Sequence, residues 1–107
     1  MAKESDFQSS LIREIENIFE GSIVLKNDPN YIQGFPDLLV LYKDKWALLE
    51  CKRGEKENKQ PNQEYYVDRC NEMSYASFVY PENKEEVLDE LQRAFKSGRR
   101  SRISRSK

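Results

Sequence analysis

Asp37, Glu50 and Lys52 are the residues of this 107-residue chain whose types and spacing best suit chemistry. They stand at one end of two β-rich runs, residues 37–42 (DLLVLY) and 45–51 (KWALLEC), joined by a short polar link. If Leu41 pairs with Trp46, paired numbers sum to 87 and Asp37 falls directly opposite Glu50. Directly opposed side chains lie about 5 Å apart, where two carboxylates repel. Apolar neighbours flank both acids, and burying such a pair is costly. A divalent cation between them removes the repulsion, and carboxylate oxygens are the hard ligands that Mg²⁺ prefers. Strand alternation puts Lys52 on the face of Glu50, with Trp46 and Leu48. An ammonium there can orient a water or a phosphate and oppose negative charge growing on phosphorus. Lysine, unlike arginine, can also release a proton. The constellation predicts metal-dependent phosphodiester hydrolysis; the competing account is a surface hairpin whose charges merely solvate its edges.

The elements that must position these groups are legible from periodicity. Residues 5–20 predict a helix, with Phe7, Leu11, Ile15 and Ile18 on one face, Ile12 and Phe19 widening it and Gly21 ending it. Residues 22–27 predict a short strand before the Asp28-Pro29-Asn30 turn. The runs 37–42 and 45–51 then form a hairpin. Residues 52–60 make a polar loop, and Pro61 opens a helix of about three turns with Tyr66, Val67, Cys70 and Met73 inward. A strand at 75–80 follows. Asn83 and Glu86 resemble a capping pair before a final stripe of Val87, Leu88, Leu91, Ala94 and Phe95. The order α-β-β-β-α-β-α predicts an α/β architecture with a mixed sheet flanked by helices.

Composition narrows the chemistry further. The chain has no histidine, which excludes His-dependent triads, His-ligated metals and HEXXH proteases. Two cysteines nineteen positions apart make neither a metal knuckle nor a disulfide framework, and favour a reducing cytosol. No apolar stretch approaches the ~20 residues that span a bilayer, and no signal-peptide core opens the sequence. No membrane or organic-cofactor role is expected. The length fits one domain, drawn at residues 1–96, followed by a basic tail at 97–107. Residues 96–107 carry six Lys/Arg, including Arg99 and Arg100, and no acid. The remaining 12 basic residues face all 19 acidic ones, a net charge of −7 over positions 1–95. A basic arm can meet phosphates electrostatically, while an acidic body suits a protein that gathers carboxylates around a cation.

Pro36-Asp37, a twelve-residue gap, then Glu50-Cys51-Lys52 resembles the signature of the PD-(D/E)XK nuclease superfamily. The element order matches that superfamily's restriction-endonuclease-like αβββαβ core over about residues 4–95. Gly34-Phe35-Pro36-Asp37, Glu50-Cys51-Lys52 and Gln60-Pro61-Asn62-Gln63 are similar to small phage VRR-Nuc domains and Holliday-junction resolvase-like nucleases, although the namesake Val-Arg-Arg triplet is missing. The resemblance implies a DNA endonuclease in which Asp37 and Glu50 hold Mg²⁺, with Mn²⁺ able to substitute. It implies that Lys52 is catalytic and that the main-chain carbonyl of Cys51 is a further ligand, its thiol pointing to the other face. Branched DNA as substrate and a phage source acting in the bacterial cytosol are implied by the same likeness. The alternatives are a non-catalytic DNA- or protein-binding domain and a sequence-specific restriction-type nuclease.

Further residues follow from position. Gln63 falls in the first turn of the Pro61 helix, where a neutral amide can hold a water or a phosphate in the helix N-terminal field; family-like patterns give a glutamine here a supporting role. Gln60 marks the helix boundary. Glu4 projects onto the apolar face at the start of the first helix, and Glu4-x-x-Phe7-Gln8 resembles the opening of VRR-Nuc domains, where an acid reaches the metal. Glu14, at the edge of the buried stripe, competes for that role. Lys26, Arg53, Lys56 and Lys59 are candidate DNA-backbone contacts, and Tyr31, Tyr65 and Tyr66 are candidate base-stacking groups. The small size predicts a homodimer, which would bring two sites to two strands.

Overall fold

Strand alternation divides the apolar residues of the central hairpin between two faces, and the helices are arranged about that division. The computed structural model describes residues 4–97, without the side chains of Glu4 and Ser97. In chain order the elements are α1 (Glu4–Ile18), β1 (Ile23–Lys26), β2 (Leu38–Tyr42), β3 (Lys45–Cys51), α2 (Pro61–Met73), β4 (Tyr75–Val79) and α3 (Lys84–Ser97). The sheet order is β1-β2-β3-β4, with β1/β2 and β2/β3 antiparallel and β3/β4 parallel. This is the α/β architecture with a mixed sheet that the sequence predicts.

The hairpin register is Leu38↔Leu49 through Tyr42↔Lys45, so paired numbers sum to 87. Lys43 and Asp44 form the two-residue turn, with Lys43 in the left-handed region at φ 58°. Leu38, Val40, Ala47, Leu49 and Cys51 point to one face, where they pack with Leu11 and Ile15 of α1 and Val87, Leu88 and Leu91 of α3. Burying each Leu, Ile or Val among them contributes roughly 1.5–3 kcal/mol before conformational entropy is counted. The other face carries a smaller cluster, Leu48, Val67, Cys70 and Ala76, with Phe35, Leu39, Trp46 and Phe78 against it. Here α2 packs over β3 and β4. Ile23, Leu25 and Leu41 stay 56%, 46% and 36% exposed.

An aromatic cluster closes the hairpin-turn end. Phe19, Tyr42 and Phe95 have ring centroids 5.1–5.6 Å apart, which fixes the C-terminal ends of α1 and α3 there. The opposite end of β3, about 20 Å away at the rise of a strand, holds Glu50 and Lys52. The parallel strand β4 also ends there, with Val79 beside Cys51.

Three details depart from the sequence expectations. Ile18 is 39% exposed, because Leu11, Ile15 and Phe19, spaced four apart, define the buried stripe of α1. Met73 is 57% exposed: Val67 and Cys70 set the inward direction of α2, and Met73 ends the helix beyond the sheet. Asn83 turns its amide back to the end of β4, accepting from the Tyr80 N–H at 2.8 Å and donating to the Phe78 carbonyl at 3.2 Å. That anchors the strand-to-helix turn rather than forming a reciprocal cap with Glu86.

Candidate active site

Pro36 determines where β2 begins. It is fully buried and has no N–H to continue the ladder, so β2 starts at Leu38 and Asp37 lies one residue before it. The Asp37 carbonyl still accepts from the Asn27 N–H at 2.8 Å, and the Asn27 amide donates to the Pro36 carbonyl at 2.8 Å. Gly34 makes the approach possible. Its φ of +87° lies in the left-handed region, and a Cβ there would sit 2.5 Å from the Asn62 side chain. Asn62 in turn donates to the Gln33 carbonyl at 3.2 Å, tying this loop to the start of α2.

Phe35 and Leu39 both pack on the α2 side, and Asp37 lies between them at two-residue spacing. On β3 the neighbours alternate sharply. Cys51 is 0% exposed among the residues packed by α1 and α3, while Glu50 and Lys52 are 4% and 6% exposed. The Lys52 N–H bonds the Val79 carbonyl at 2.9 Å, directed at β4. Alternation therefore turns the Cys51 N–H and C=O toward β2. There the Cys51 N–H donates to the Asp37 carboxylate at 2.9 Å.

Gln63 joins the other two groups. Its Oε1 accepts from the Lys52 ammonium at 2.8 Å, and its Nε2 donates to the Glu50 carboxylate at 3.2 Å. The same Oε1 accepts from the Gln60 N–H at 3.0 Å within a capping box at the start of α2. Helix cap and polar site thus share one side chain. Lys52 also donates to the Asn58 carbonyl at 3.0 Å, which draws the 53–60 loop over it. Nothing in the sequence marked Asn58, because a main-chain acceptor carries no residue-type signal.

Burial is the leading influence on Asp37 and raises its carboxyl above the ordinary value; the Cys51 N–H and the positive charge of Lys52 act in the opposite direction. A half-buried carboxylate beside a buried one is an unfavourable arrangement that a cation would offset. The available donors are two carboxylates and a main-chain carbonyl on the same side, all hard oxygens, and they fit Mg²⁺ completed by water. Among the described residues no group of three or more His, Cys, Asp or Glu side chains forms a metal cluster. The third acid considered, Glu4, is the first residue of α1, and its carboxylate lies outside the described part. Glu14 is engaged elsewhere, in a 2.7 Å ion pair with Lys84 that raises the Lys84 pKa.

The basic candidates are placed unevenly. Lys59 lies over the Phe78 ring at 4.8 Å, and Phe78 is the register partner of Glu50. Lys56 is exposed in the same loop, and Arg53 is exposed and pairs with Glu57 at 3.6 Å. Lys26 ends β1 beside Leu38, but it shares strand parity with Val24, which packs on the α1 and α3 side, away from Asp37. Arg99 and Arg100 lie outside the described residues. Tyr31 and Tyr65 are 83% and 58% exposed, whereas Tyr66 is half-buried edge-on to Phe35 at 5.4 Å.

No protein-family model matches the sequence, and no curated protein matches it significantly. Solved structures do. One, titled "VRR_NUC domain", is 24% identical with a TM-score of 0.67, covering 83% of this chain and 97% of its own. The chain is built on the VRR-Nuc fold. A second structure, titled "VRR_NUC domain protein", is 13% identical with a TM-score of 0.65 and covers 90% of each chain. The restriction-endonuclease-like arrangement of sheet and helices is thus shared over most of the domain. Within this fold the polar cluster occupies the sheet end where β2 begins and β3 and β4 finish.

Proposed function

We propose that this chain is a Mg²⁺-dependent endodeoxyribonuclease that hydrolyses phosphodiester bonds by in-line attack of water. The observation that carries the reading is the bonded series Asp37–Cys51 N–H and Glu50–Gln63–Lys52 at one end of a nuclease-type sheet. A fold by itself hosts many activities, so the site bears the weight. Asp37, Glu50 and the Cys51 carbonyl would hold the cation, with Glu4 as a further ligand, and Mn²⁺ would substitute. The bound ion supplies Lewis acidity toward the attacking water and the scissile phosphate. Lys52 has three ammonium donors; two bond Asn58 and Gln63, leaving the third for a phosphate oxygen or the nucleophile. That buried positive charge opposes the negative charge that develops in the transition state. Gln63 keeps the ammonium and the Glu50 carboxylate in fixed orientation. Lys59 and Lys56 would meet flanking phosphates, with Arg53, Lys26, Arg99 and Arg100 as further candidate contacts.

Branched DNA is the proposed substrate and a homodimer the working unit, because one domain of this size offers little surface for gripping a junction. A nicking assay on linear, flapped and four-way DNA, with Mg²⁺ or Mn²⁺, tests the reading. Cleavage should require the ion and be lost in Asp37→Ala and Lys52→Ala, both still folded. A wild-type chain that binds these DNAs without cutting them would instead be a non-catalytic binding domain. Cleavage confined to one linear sequence would identify a restriction-type nuclease.

A further inference from the structure

Immediately before Asp37 the chain builds an open cavity of about 370 Å³, lined by Asn27, Asp28, Tyr31, Ile32 and Phe35. We infer that this cavity receives one unpaired nucleobase next to the phosphate being cut, an inference that rests on the hydrolytic reading above. The volume falls at the lower end of the ~300–1,000 Å³ typical of small-molecule sites. Its lining is tied to the polar site through the main chain: the Asn27 N–H bonds the Asp37 carbonyl at 2.8 Å, and Phe35 lies two residues before Asp37.

The lining suits a flat, apolar-faced ligand with polar edges. Phe35 is held edge-on by Tyr66 at 5.4 Å and packs in the α2-side cluster, so one aromatic wall is fixed. Tyr31 is 83% exposed, a large area for a ring with no partner ring among the described residues. Two successive turns hold the loop, Tyr31 N–H to the Asp28 carbonyl and Phe35 N–H to the Ile32 carbonyl, both at 3.2 Å. Two polar side chains line it: the Asn27 amide, which donates to the Pro36 carbonyl at 2.8 Å, and the Asp28 carboxylate, one oxygen of which accepts from the Asn30 N–H at 2.9 Å. Negative charge on Asp28 opposes a phosphate, whereas a base can stack on Tyr31 and present an amino group to Asp28. A base within intact duplex would first have to be unpaired and flipped out, at a cost of a few kcal/mol that an unpaired base avoids. The cavity therefore gives this fold a physical reason to prefer DNA with unpaired nucleotides.

The test measures binding in EDTA, where hydrolysis is suppressed, using fluorescence anisotropy and the full chain. The probes are a fluorescein-labelled blunt duplex, the same duplex with a four-nucleotide single-stranded extension, and the extended duplex with abasic residues in that extension. Wild type should bind the extended duplex about tenfold more tightly than its abasic counterpart, as expected for one base–aromatic stack. Tyr31→Ala should lose that factor on the normal extension only, leaving blunt and abasic duplexes unchanged, and Tyr31→Phe should restore it. An exposed side chain makes misfolding a poor explanation for the loss. Equal wild-type affinity for normal and abasic extensions, an indifferent Tyr31→Ala, or no binding to any probe would overturn the inference. The hydrolytic reading fails separately, by absence of ion-dependent cleavage in the nicking assay. Metal-dependent cleavage with an indifferent Tyr31→Ala would sink the cavity and leave the nuclease.

Discussion

The two faces of the sheet use the same strands for different ends. Under α1 and α3, Leu38, Val40, Leu49 and Cys51 are 0% exposed and belong to one apolar cluster. On the α2 face, packing covers Leu48 and Ala76, leaves Ile23 and Leu25 half in solvent, and ends in buried Glu50 and Lys52. Glu50, Cys51 and Lys52 are consecutive, so alternation alone sends the middle side chain to the closed face and its neighbours to the candidate site. One closed face supplies enough apolar burial to let the other carry two ionisable groups at a cost. The pair of faces predicts separable mutational effects.

The sharpest separation comes from Lys52 against Leu49. Lys52→Met should lower single-turnover cleavage by about a thousandfold, the scale of removing a group that stabilises developing charge, with the melting curve still cooperative. Leu49→Ala, one pleat away on the closed face, should cost about 2–5 kcal/mol in urea unfolding and leave cleavage per folded molecule unchanged. A Leu49 variant that unfolds normally but fails to cut would break the division. Gln63→Leu should show both effects in smaller measure: cleavage reduced through a disordered Lys52 and Glu50, and about 1 kcal/mol lost with the helix cap. Cys51→Val should retain cleavage and change stability by less than about 1.5 kcal/mol, since only the main chain of residue 51 faces the site.

Asp37→Asn tests the cost carried by the α2 face. Burial raises the Asp37 pKa in the folded chain, so folding favours the protonated form. The stability penalty is absent below the unfolded value of about 3.9 and grows as pH rises through the folded value. Without divalent ions, Asp37→Asn should melt above wild type at neutral pH, and the two curves should converge as pH falls below 4. Adding Mn²⁺ should raise the wild-type melting temperature and leave the variant unmoved. Ile23→Thr, on the uncovered strand, should shift stability by no more than about 0.5 kcal/mol.

Much of this arrangement is written in local pattern. The apolar pattern forbids a one-residue slip, which would turn the buried residues outward, and the two-residue turn at Lys43-Asp44 selects the register; Pro36 and Pro61 punctuate the chain where the structure does. Asp37, Glu50 and Lys52 are therefore brought to one sheet end by strand geometry that periodicity already encodes. What periodicity does not encode is long-range polar bonding. The Asn58 carbonyl over Lys52 and the Cys51 N–H on Asp37 are main-chain groups, and Gln63 serving Glu50, Lys52 and the helix cap at once depends on how α2 packs. The outward turn of Ile18 and Met73 has the same origin: a helix stripe is several residues wide, and packing chooses its centre. Glu14 likewise could be separated from the site only once Lys84 was seen across from it.

The measurement that bears most directly on the account is anomalous diffraction from crystals soaked in Mn²⁺. The account predicts a peak within coordination distance of the Asp37 and Glu50 carboxylates and the Cys51 carbonyl, lost in Asp37→Asn crystals. Manganese bound only elsewhere on the acidic surface, with those oxygens unoccupied at saturating ion, would contradict it.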